Sequence, residues 1–303
     1  MGKPRKITKI MKSIPTIEGA GVHLKRAFGY HDVPLFDPFL LLDDFHSNNP
    51  AHYQNGFPWH PHRGIETITY VIEGNVAHGD SMGNRGVIRS GDIQWMTAGS
   101  GIIHQEMPKG GKDGMMWGTQ LWANLPASHK MMEPRYRDVK SADVPEVSLE
   151  GGIKVKIICG SVQGVKGPVQ DIVADPQYLD ITIPPKTPLA FPVKPGHRVF
   201  AYVIEGKAYF EKEHDAYAFD VEGANYFDFK RECRIGPESA VLFNGGDELA
   251  ISTEDDPVRF LLISGRPLGE RVAWGGPIVM NTRAELRHAF EEYENGTFIK
   301  HAK

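Results

Sequence analysis

The sequence contains one five-residue string twice, and this repeat constrains the fold more than any other feature. Tyr-Val-Ile-Glu-Gly occupies residues 70–74 and recurs 132 residues later, at residues 202–206. Each copy is followed by a Gly-Asp step, at residues 91–92 and 246–247, and then by a run of residues typical of β-strands. A shared order over such a long period predicts two duplicated domains and not a solenoid of short units.

The stretches around both copies are rich in β-branched and aromatic residues and are separated by glycine turns. Strands are predicted at residues 65–72, 86–91, 93–96, 200–204, 208–210, 240–243 and 260–264. The 33 glycines and 22 prolines support many turns and short elements. Short strands at this spacing predict an all-β fold of the sandwich or barrel type.

The chain is predicted to form two tandem domains, at residues 1–135 and 145–303, with a polar connector within residues 126–152. The C-terminal region changes character, because Thr282-Arg-Ala-Glu285 has the form of a capping box. Apolar residues then recur at helical spacing before Asn295-Gly296; they are Leu286, Ala289, Phe290 and Tyr293. We predict one short amphipathic helix that packs on the barrels, with a partner-binding helix as the alternative.

Charge and composition exclude several classes of function. The formal net charge of -4 argues against direct nucleic-acid binding, although the first thirteen residues carry five Lys or Arg. Two distant cysteines, Cys159 and Cys233, favour a reducing compartment over a disulfide scaffold. No apolar run reaches the length of a membrane span. We expect a cytoplasmic protein without membrane contact, also nuclear if the host has a nucleus.

Two short motifs combine histidine with carboxylate side chains. His60 and His62 lie two residues apart, as do His104 and Glu106. Residues two apart on a strand point to the same face, so two facing strands can direct four ligands toward one ion. Glu66, which follows the first motif, is a rival ligand. Three imidazoles and a carboxylate suit a borderline divalent ion, with Fe(II) as first choice and manganese, nickel, copper or zinc as alternatives.

The second repeat carries no comparable ligand set. Shifting His60 and His62 by the repeat length gives Pro192 and Lys194, and no His-x-Glu pair follows the second Gly-Asp step. The second domain is therefore predicted to be metal-free, and we expect one divalent metal ion per chain.

The order of these motifs resembles that of cupins, although Thr97 stands where cupins usually carry proline. Three longer stretches resemble the pirin family: HPHRGIETITYVIEG, GDIQWMTAGSGIIHQEMP and GGPIVMNTRAEL. The resemblance covers nearly the whole chain. It implies a bicupin, with two tandem jelly-roll-type β-barrel domains and a short C-terminal helix. It also implies that His60, His62, His104 and Glu106 bind the metal, which leaves Glu66 a structural role.

The resemblance implies an activity as well. Pirin-like proteins of this kind show quercetin (flavonol) 2,3-dioxygenase activity, which opens the flavonol ring with O2. Carried over, a flavonol-like or other chelating small molecule and O2 would bind at the open positions of the metal, and Glu106 would accept the hydroxyl proton. Phe57, Trp59 and Trp95 could line the entrance, with core packing as the alternative.

A non-enzymatic function is the second hypothesis. Pirins also resemble iron-dependent, redox-sensing regulators that bind protein partners, either as transcription co-regulators or as modulators of metabolic enzymes. A third hypothesis is a binding module for another ligand. The predicted fold and metal site are compatible with all three hypotheses, because one fold can carry many functions.

Overall fold

The computed structural model describes residues 2–222 and 232–301. Its contacts divide the chain into two compact units. The histidine unit comprises Pro15–Asp143 together with the segment from Leu268 onward. The apolar unit comprises the residues up to Ile14 together with Val144–Pro267.

These units differ at both ends from the domain boundaries expected at 1–135 and 145–303. The first strand, β1 (Ile7–Lys12), pairs with strands of the apolar unit and so belongs to it. The C-terminal segment packs within the histidine unit, where it includes the helix α1 (Arg283–Glu294). The placement of β1 and of the C-terminal segment depends on contacts with residues far away in sequence. The composition of the connector carries no information about such contacts.

The histidine unit contains two main sheets, a β-hairpin and the helix α1. Its strands are β2 (Ile14–Glu18), β3 (Val22–Phe28), β4 (Phe39–Ser47), β5 (Phe57–His62), β6 (Ile65–Glu73), β7 (Asn75–Asp80), β8 (Arg85–Arg89), β9 (Ile93–Thr97), β10 (Ile102–Lys109), β11 (Met116–Asn124), β12 (Arg135–Val139), β24 (Ala273–Gly275) and β25 (Ile278–Met280). The larger sheet has the order β12-β9-β6-β11-β4-β3-β2, and the smaller has the order β5-β10-β7-β8. Short 3-10 turns lie at Tyr30–Asp32, Pro50–His52 and Ser141–Asp143.

Apolar side chains from both sheets form a core in this unit. Leu24 and Val71 come from the larger sheet, and Val76 and Ile88 come from the smaller one. A fully buried aliphatic side chain stabilises the fold by about 1.5–3 kcal/mol relative to exposure. The packed core therefore holds the smaller sheet, which carries both histidine motifs, against the larger sheet.

The apolar unit has the same kind of architecture. Its strands after β1 are β13 (Glu146–Ser148), β14 (Lys154–Cys159), β15 (Ser161–Val162), β16 (Val165–Lys166), β17 (Gln177–Ile183), β18 (Pro188–Pro192), β19 (Arg198–Gly206), β20 (Asp220–Glu222), β21 (Ser239–Phe243), β22 (Glu248–Ser252) and β23 (Val258–Gly265). Its larger sheet has the order β13-β14-β17-β23-β19-β21-β1-β20, while β18 pairs with β22. A 3-10 turn lies at Glu150–Gly152.

Strand β18 occupies the place of β5 in the repeat, but its buried face is apolar. Leu189 and Phe191 belong to the core cluster, as does Val193 just beyond the strand. Pro192 and Lys194, the positions obtained by counting along the repeat, are exposed. The buried positions that correspond to the ligand strand are therefore occupied by hydrocarbon side chains.

The predicted all-β fold with one short C-terminal helix is confirmed. Thr282 caps α1 through a capping box with Glu285, as the sequence predicted. One local prediction was wrong, because residues 208–210 form only isolated bridges and no strand. The boundary between the two units, after Asp143, falls within the connector predicted at residues 126–152. No helix in the described residues is long and apolar enough to cross a membrane.

Arg63 ties the segment after β5 to the C-terminal segment of the same unit. Its guanidinium is buried, and it forms a 2.6 Å ion pair from Nη1 to Glu292 Oε2 on α1. Nε donates to Ser100 O at 2.7 Å, and Nη2 donates to Phe298 O at 2.9 Å. One side chain therefore satisfies three acceptors that belong to three different segments.

Replacing Arg63 with methionine is expected to lower the free energy of unfolding of the histidine unit by about 1–3 kcal/mol, because the carbonyls of Ser100 and Phe298 lose a buried donor. Urea denaturation followed by circular dichroism measures the change. The matched control is Lys112→Met at an exposed position, where a change within about 0.5 kcal/mol is expected. Equal stability of the two variants would show that the buried contacts of Arg63 do not stabilise the unit.

Candidate metal centre

Strands β5 and β10 bring three histidines together. They pair in antiparallel register, so that His60 lies opposite His104. The ligand nitrogens of His60, His62 and His104 all lie within 4.8 Å of one another. Strand β5 is the edge strand of its sheet, which is where the prolines between and before its histidines can be accommodated.

Hydrogen bonds to carbonyls determine which nitrogens of two histidines are free. His60 Nδ1 lies 2.8 Å from Pro58 O, and His62 Nδ1 lies 2.9 Å from Pro277 O. Because a carbonyl oxygen only accepts, each Nδ1 carries a proton, and in the neutral imidazole Nε2 then carries a lone pair. The two Nε2 atoms are 3.1 Å apart. Two lone pairs at this distance repel each other unless a cation lies beside both.

The separation suits two ligands of one ion. Two nitrogens at about 2.1 Å from a metal, at right angles to each other, lie about 3.0 Å apart. A tetrahedral angle would place them at about 3.4 Å. The observed 3.1 Å between the two Nε2 atoms is closer to the right-angled arrangement of an octahedron.

His104 completes the group. Its side chain is fully buried, and neither ring nitrogen has a hydrogen-bond partner among the described residues. Burial, and then the neighbouring His62, lowers the pKa of His104 well below its ordinary value. Burial, and then His60, lowers the pKa of His62 to about 3. Both imidazoles are therefore neutral near pH 7, which is the form that binds a metal.

Glu106 lies two residues after His104 and is also buried. One carboxylate oxygen accepts a hydrogen bond from Thr69 Oγ1 at 3.0 Å, and the other accepts one from Gln120 Nε2 at 3.0 Å. Within the described part of the chain, Glu106 is not a member of the compact three-histidine group. Each oxygen keeps a free lone pair. Its place as the fourth ligand stays a prediction.

Glu66, the rival carboxylate, has a different partner. It is buried on β6 and accepts a 2.6 Å hydrogen bond from the hydroxyl of Thr97 on β9. Burial raises the pKa of Glu66, which makes its neutral form more accessible. The hydroxyl explains why threonine suits position 97. Glu66 also lies outside the three-histidine group, as far as the structure describes the chain.

The aromatic side chains around the site differ from those expected. Trp95 is buried in the core, with 1% of its surface exposed, which agrees with the alternative of core packing and not with a place at the entrance. Trp122, which sequence reasoning missed, places its ring edge-on to His62 with 5.0 Å between ring centroids. Phe57 lies 6.4 Å from His60 between ring centroids, and Trp59 is half exposed.

A small cavity lies beside Glu106. Its volume is about 20 Å³, and its lining includes Phe57, Thr69, Glu106 and Gln120. A space of this size holds about one water molecule. His60 is partly exposed, so the three-histidine group can also be reached beside this residue.

The C-terminal segment supports the ligand strand from outside the group. It supplies Pro277 O to His62, and Val279 O to the buried ammonium of Lys130. Lys130 Nζ also donates to Gly64 O and to Asn124 Oδ1. Burial lowers the pKa of Lys130 to about 7, but three acceptors match the three donors of the charged form.

Comparison with known proteins identifies the family. A family model described as Pirin matches residues 21–123, and a model described as Pirin C-terminal cupin domain matches residues 178–299. A pirin-like protein of Caulobacter vibrioides is 40% identical, with 97% of this chain and 99% of that protein covered. The chain belongs to the pirin family. Human pirin is 37% identical, with 97% of this chain and 94% of that protein covered.

A solved structure agrees with this membership. Quercetin 2,3-dioxygenase from Acinetobacter baumannii superposes with a TM-score of 0.84 at 28% identity, covering 98% of this chain and 99% of that one. The predicted resemblance to pirins and the predicted pair of cupin domains are confirmed. In this pirin family chain, His60, His62 and His104 could hold one metal ion.

Replacing His104 with alanine is expected to weaken binding of Fe(II) by more than about 100-fold, because loss of an outer partner of a ligand already costs about 10–100-fold. Titration of anaerobic protein against a competing chelator measures the affinity. The control is His31→Ala, an exposed histidine outside the group, which should bind like the wild type. If the His104→Ala protein bound Fe(II) as tightly as the wild type, His104 would not be a ligand of the metal.

Proposed function

We propose that this pirin family chain is an Fe(II)-dependent quercetin 2,3-dioxygenase. One observation carries the proposal: the Nε2 atoms of two imidazoles are held 3.1 Å apart beside a third, buried imidazole that has no hydrogen-bond partner among residues 2–222 and 232–301. That arrangement suits a bound divalent ion. The full-length similarity to a protein of Acinetobacter baumannii called quercetin 2,3-dioxygenase supports the choice of reaction.

The donor set favours Fe(II). Neutral imidazoles suit first-row divalent ions in general, and added carboxylate ligation moves the preference toward ions such as iron and manganese. Glu106 would be the fourth ligand beside His60, His62 and His104, and the bound ion would supply a place for a chelating molecule and O2.

The bound ion would act as a Lewis acid that makes a chelated flavonol hydroxyl more acidic and brings the flavonol and O2 together. Glu106 is the residue that can take the hydroxyl proton. Gln120 Nε2 can only donate a hydrogen bond, so Oε2 of Glu106, which accepts this bond, stays unprotonated. The Thr69 hydroxyl can turn from donor to acceptor, so Oε1 of Glu106 is the atom that can receive the proton.

Aromatic side chains support binding of a flat ring system. Trp122 packs against His62, and Trp274 of the same unit lies 5.8 Å from Trp122 between ring centroids. Flat apolar walls of this kind bind ring systems with favourable stacking geometry. Because the cavity beside Glu106 holds only one water, the flavonol would bind on the side of partly exposed His60.

Turnover provides the test. Protein loaded anaerobically with Fe(II) should consume quercetin when O2 is added, seen as loss of the flavonol absorbance. Glu106→Gln should lower the rate by about 10²–10⁴-fold, the usual contribution of a positioned base. The matched control is Glu66→Gln, another buried carboxylate beside the site, which should retain most of the activity. Iron content is measured for each variant.

Two outcomes would contradict the proposal. Loss of activity in Glu66→Gln but not in Glu106→Gln, at equal iron content, would assign the role to the rival carboxylate. Tight binding of quercetin by the iron-loaded protein without any turnover would argue against a dioxygenase. That result would favour the iron-dependent, redox-sensing regulator that acts through protein partners.

A further inference from the structure

A second pair of polar side chains lies next to the three-histidine group. Strand β7 pairs with β10 in antiparallel register, so that Asp80 lies opposite His104 and His78 lies opposite Glu106. The side chains of His78 and Asp80 are completely buried. Neither residue belongs to the ligand set, and the proposed reaction gives neither a role.

Asp80 is held in place by its own turn. Oδ1 accepts hydrogen bonds from the backbone N–H groups of Met82 and Asn84, both at 2.9 Å. Oδ2 accepts one from Asn84 Nδ2 at 2.8 Å and lies 3.3 Å from His78 Nε2. These three hydrogen bonds hold the carboxylate in place independently of its contact with His78. Because an ionised carboxylate only accepts, His78 Nε2 carries the proton.

The other ring nitrogen of His78, Nδ1, is a buried hydrogen-bond acceptor. With its proton on Nε2, a neutral His78 has a lone pair on Nδ1. That atom is buried and has no hydrogen-bond partner among the described residues. Tyr136 stacks on the ring, with 4.8 Å between centroids and an interplanar angle of 21°, which restricts its rotation. A buried polar atom without a partner costs about 1–3 kcal/mol, so a partner is expected.

His104 offers the complementary donor. Its ring lies 5.5 Å from that of His78 between centroids, and both of its buried nitrogens lack a hydrogen-bond partner in the part of the chain that the structure describes. If one nitrogen binds the metal, the other carries a proton that needs an acceptor. Histidine ligands almost always donate this second N–H to a carboxylate, a carbonyl or a water. His60 and His62 have carbonyls in this role, whereas no carbonyl of the described residues accepts a hydrogen bond from His104.

We propose that Asp80, His78 and His104 form a hydrogen-bonded chain that orients the third ligand of the metal. In this chain, His78 Nδ1 accepts the proton of the His104 nitrogen that faces away from the metal, directly or through one buried water. His78 is a positioning residue, and it acts on the metal only through His104. The inference rests on the proposed function in one respect, namely that His104 is a metal ligand.

Two substitutions at position 78 separate hydrogen bonding from packing. His78→Phe keeps an aromatic ring against Tyr136 and removes the acceptor. His78→Asn is smaller, but its Oδ1 restores an acceptor near the position of Nδ1. A structural role predicts that phenylalanine is tolerated better than asparagine. The hydrogen-bonded chain predicts the opposite order.

The readouts are Fe(II) affinity and the Fe(III)/Fe(II) reduction potential of the full chain. His78→Phe should weaken Fe(II) binding by about 10–100-fold, the usual effect of losing an outer partner. It should also shift the potential to more positive values, because a less basic His104 stabilises Fe(III) less. His78→Asn should recover most of both quantities. Asp80 is left unchanged because it also holds its own turn.

Nitrogen-15 NMR of the wild-type protein loaded with Zn(II) gives an independent readout. We expect a protonated Nε2 and an unprotonated, hydrogen-bonded Nδ1 for His78, together with a slowly exchanging ring N–H for His104. A protonated Nδ1 on His78, or wild-type affinity and potential in His78→Phe, would overturn the inference.

The experiment separates the two levels of proposal. If the wild-type protein binds neither Fe(II) nor Zn(II), then the metal assignment itself fails. If it binds both ions and the His78→Phe protein behaves identically, then only the chain through His78 fails. Thermal melting of the metal-free variants shows whether each has folded before its affinity is compared.

Discussion

The site depends on two carbonyl oxygens that hold two imidazoles with their lone pairs facing each other. Pro58 O and Pro277 O each accept the Nδ1 proton, and this leaves the Nε2 atoms of His60 and His62 separated by 3.1 Å. Such a pair is unfavourable alone and favourable around a cation. The fold maintains it through the edge strand β5 and through a C-terminal segment of the same unit. Much of that segment's packing, including the Arg63 and Lys130 contacts, serves to keep this arrangement in place.

Residue periodicity made part of the site predictable. The two-residue spacing of His60 and His62, and of His104 and Glu106, places each pair on one face of a strand whatever the fold around it. The capping box at Thr282 and Glu285 is equally local, and it marked the start of the helix correctly. Each of these patterns involves only a few adjacent residues, so it can be recognised without knowledge of the tertiary structure.

The supporting residues could not be predicted in the same way. Pro277 and Lys130 act through partners more than a hundred residues away in sequence, and a single sequence carries no sign of such pairing. His78 and Trp122 look like ordinary strand residues until the register of β7 and β11 is known. Counting along the repeat leads to Pro192 and Lys194, which are exposed, whereas the buried positions nearby are Phe191 and Val193. A shift of one residue in a connecting turn exchanges the two faces of a strand.

The two units show how one architecture supports different interiors. In the apolar unit, Phe191 and Val193 belong to a core cluster of hydrocarbon side chains. In the histidine unit the corresponding strands bury imidazoles and carboxylates, whose polar atoms need partners. The histidine unit therefore combines a stable apolar core with a polar region that an ion would complete.

The most direct test of this account is crystallographic. Crystals of protein loaded anaerobically with Fe(II) would be measured on both sides of the iron absorption edge. The account predicts one anomalous peak per chain, at about 2.1 Å from Nε2 of His60, from Nε2 of His62 and from one nitrogen of His104. A fully loaded crystal without a peak among these three imidazoles, or with its iron at another position, would contradict the central claim.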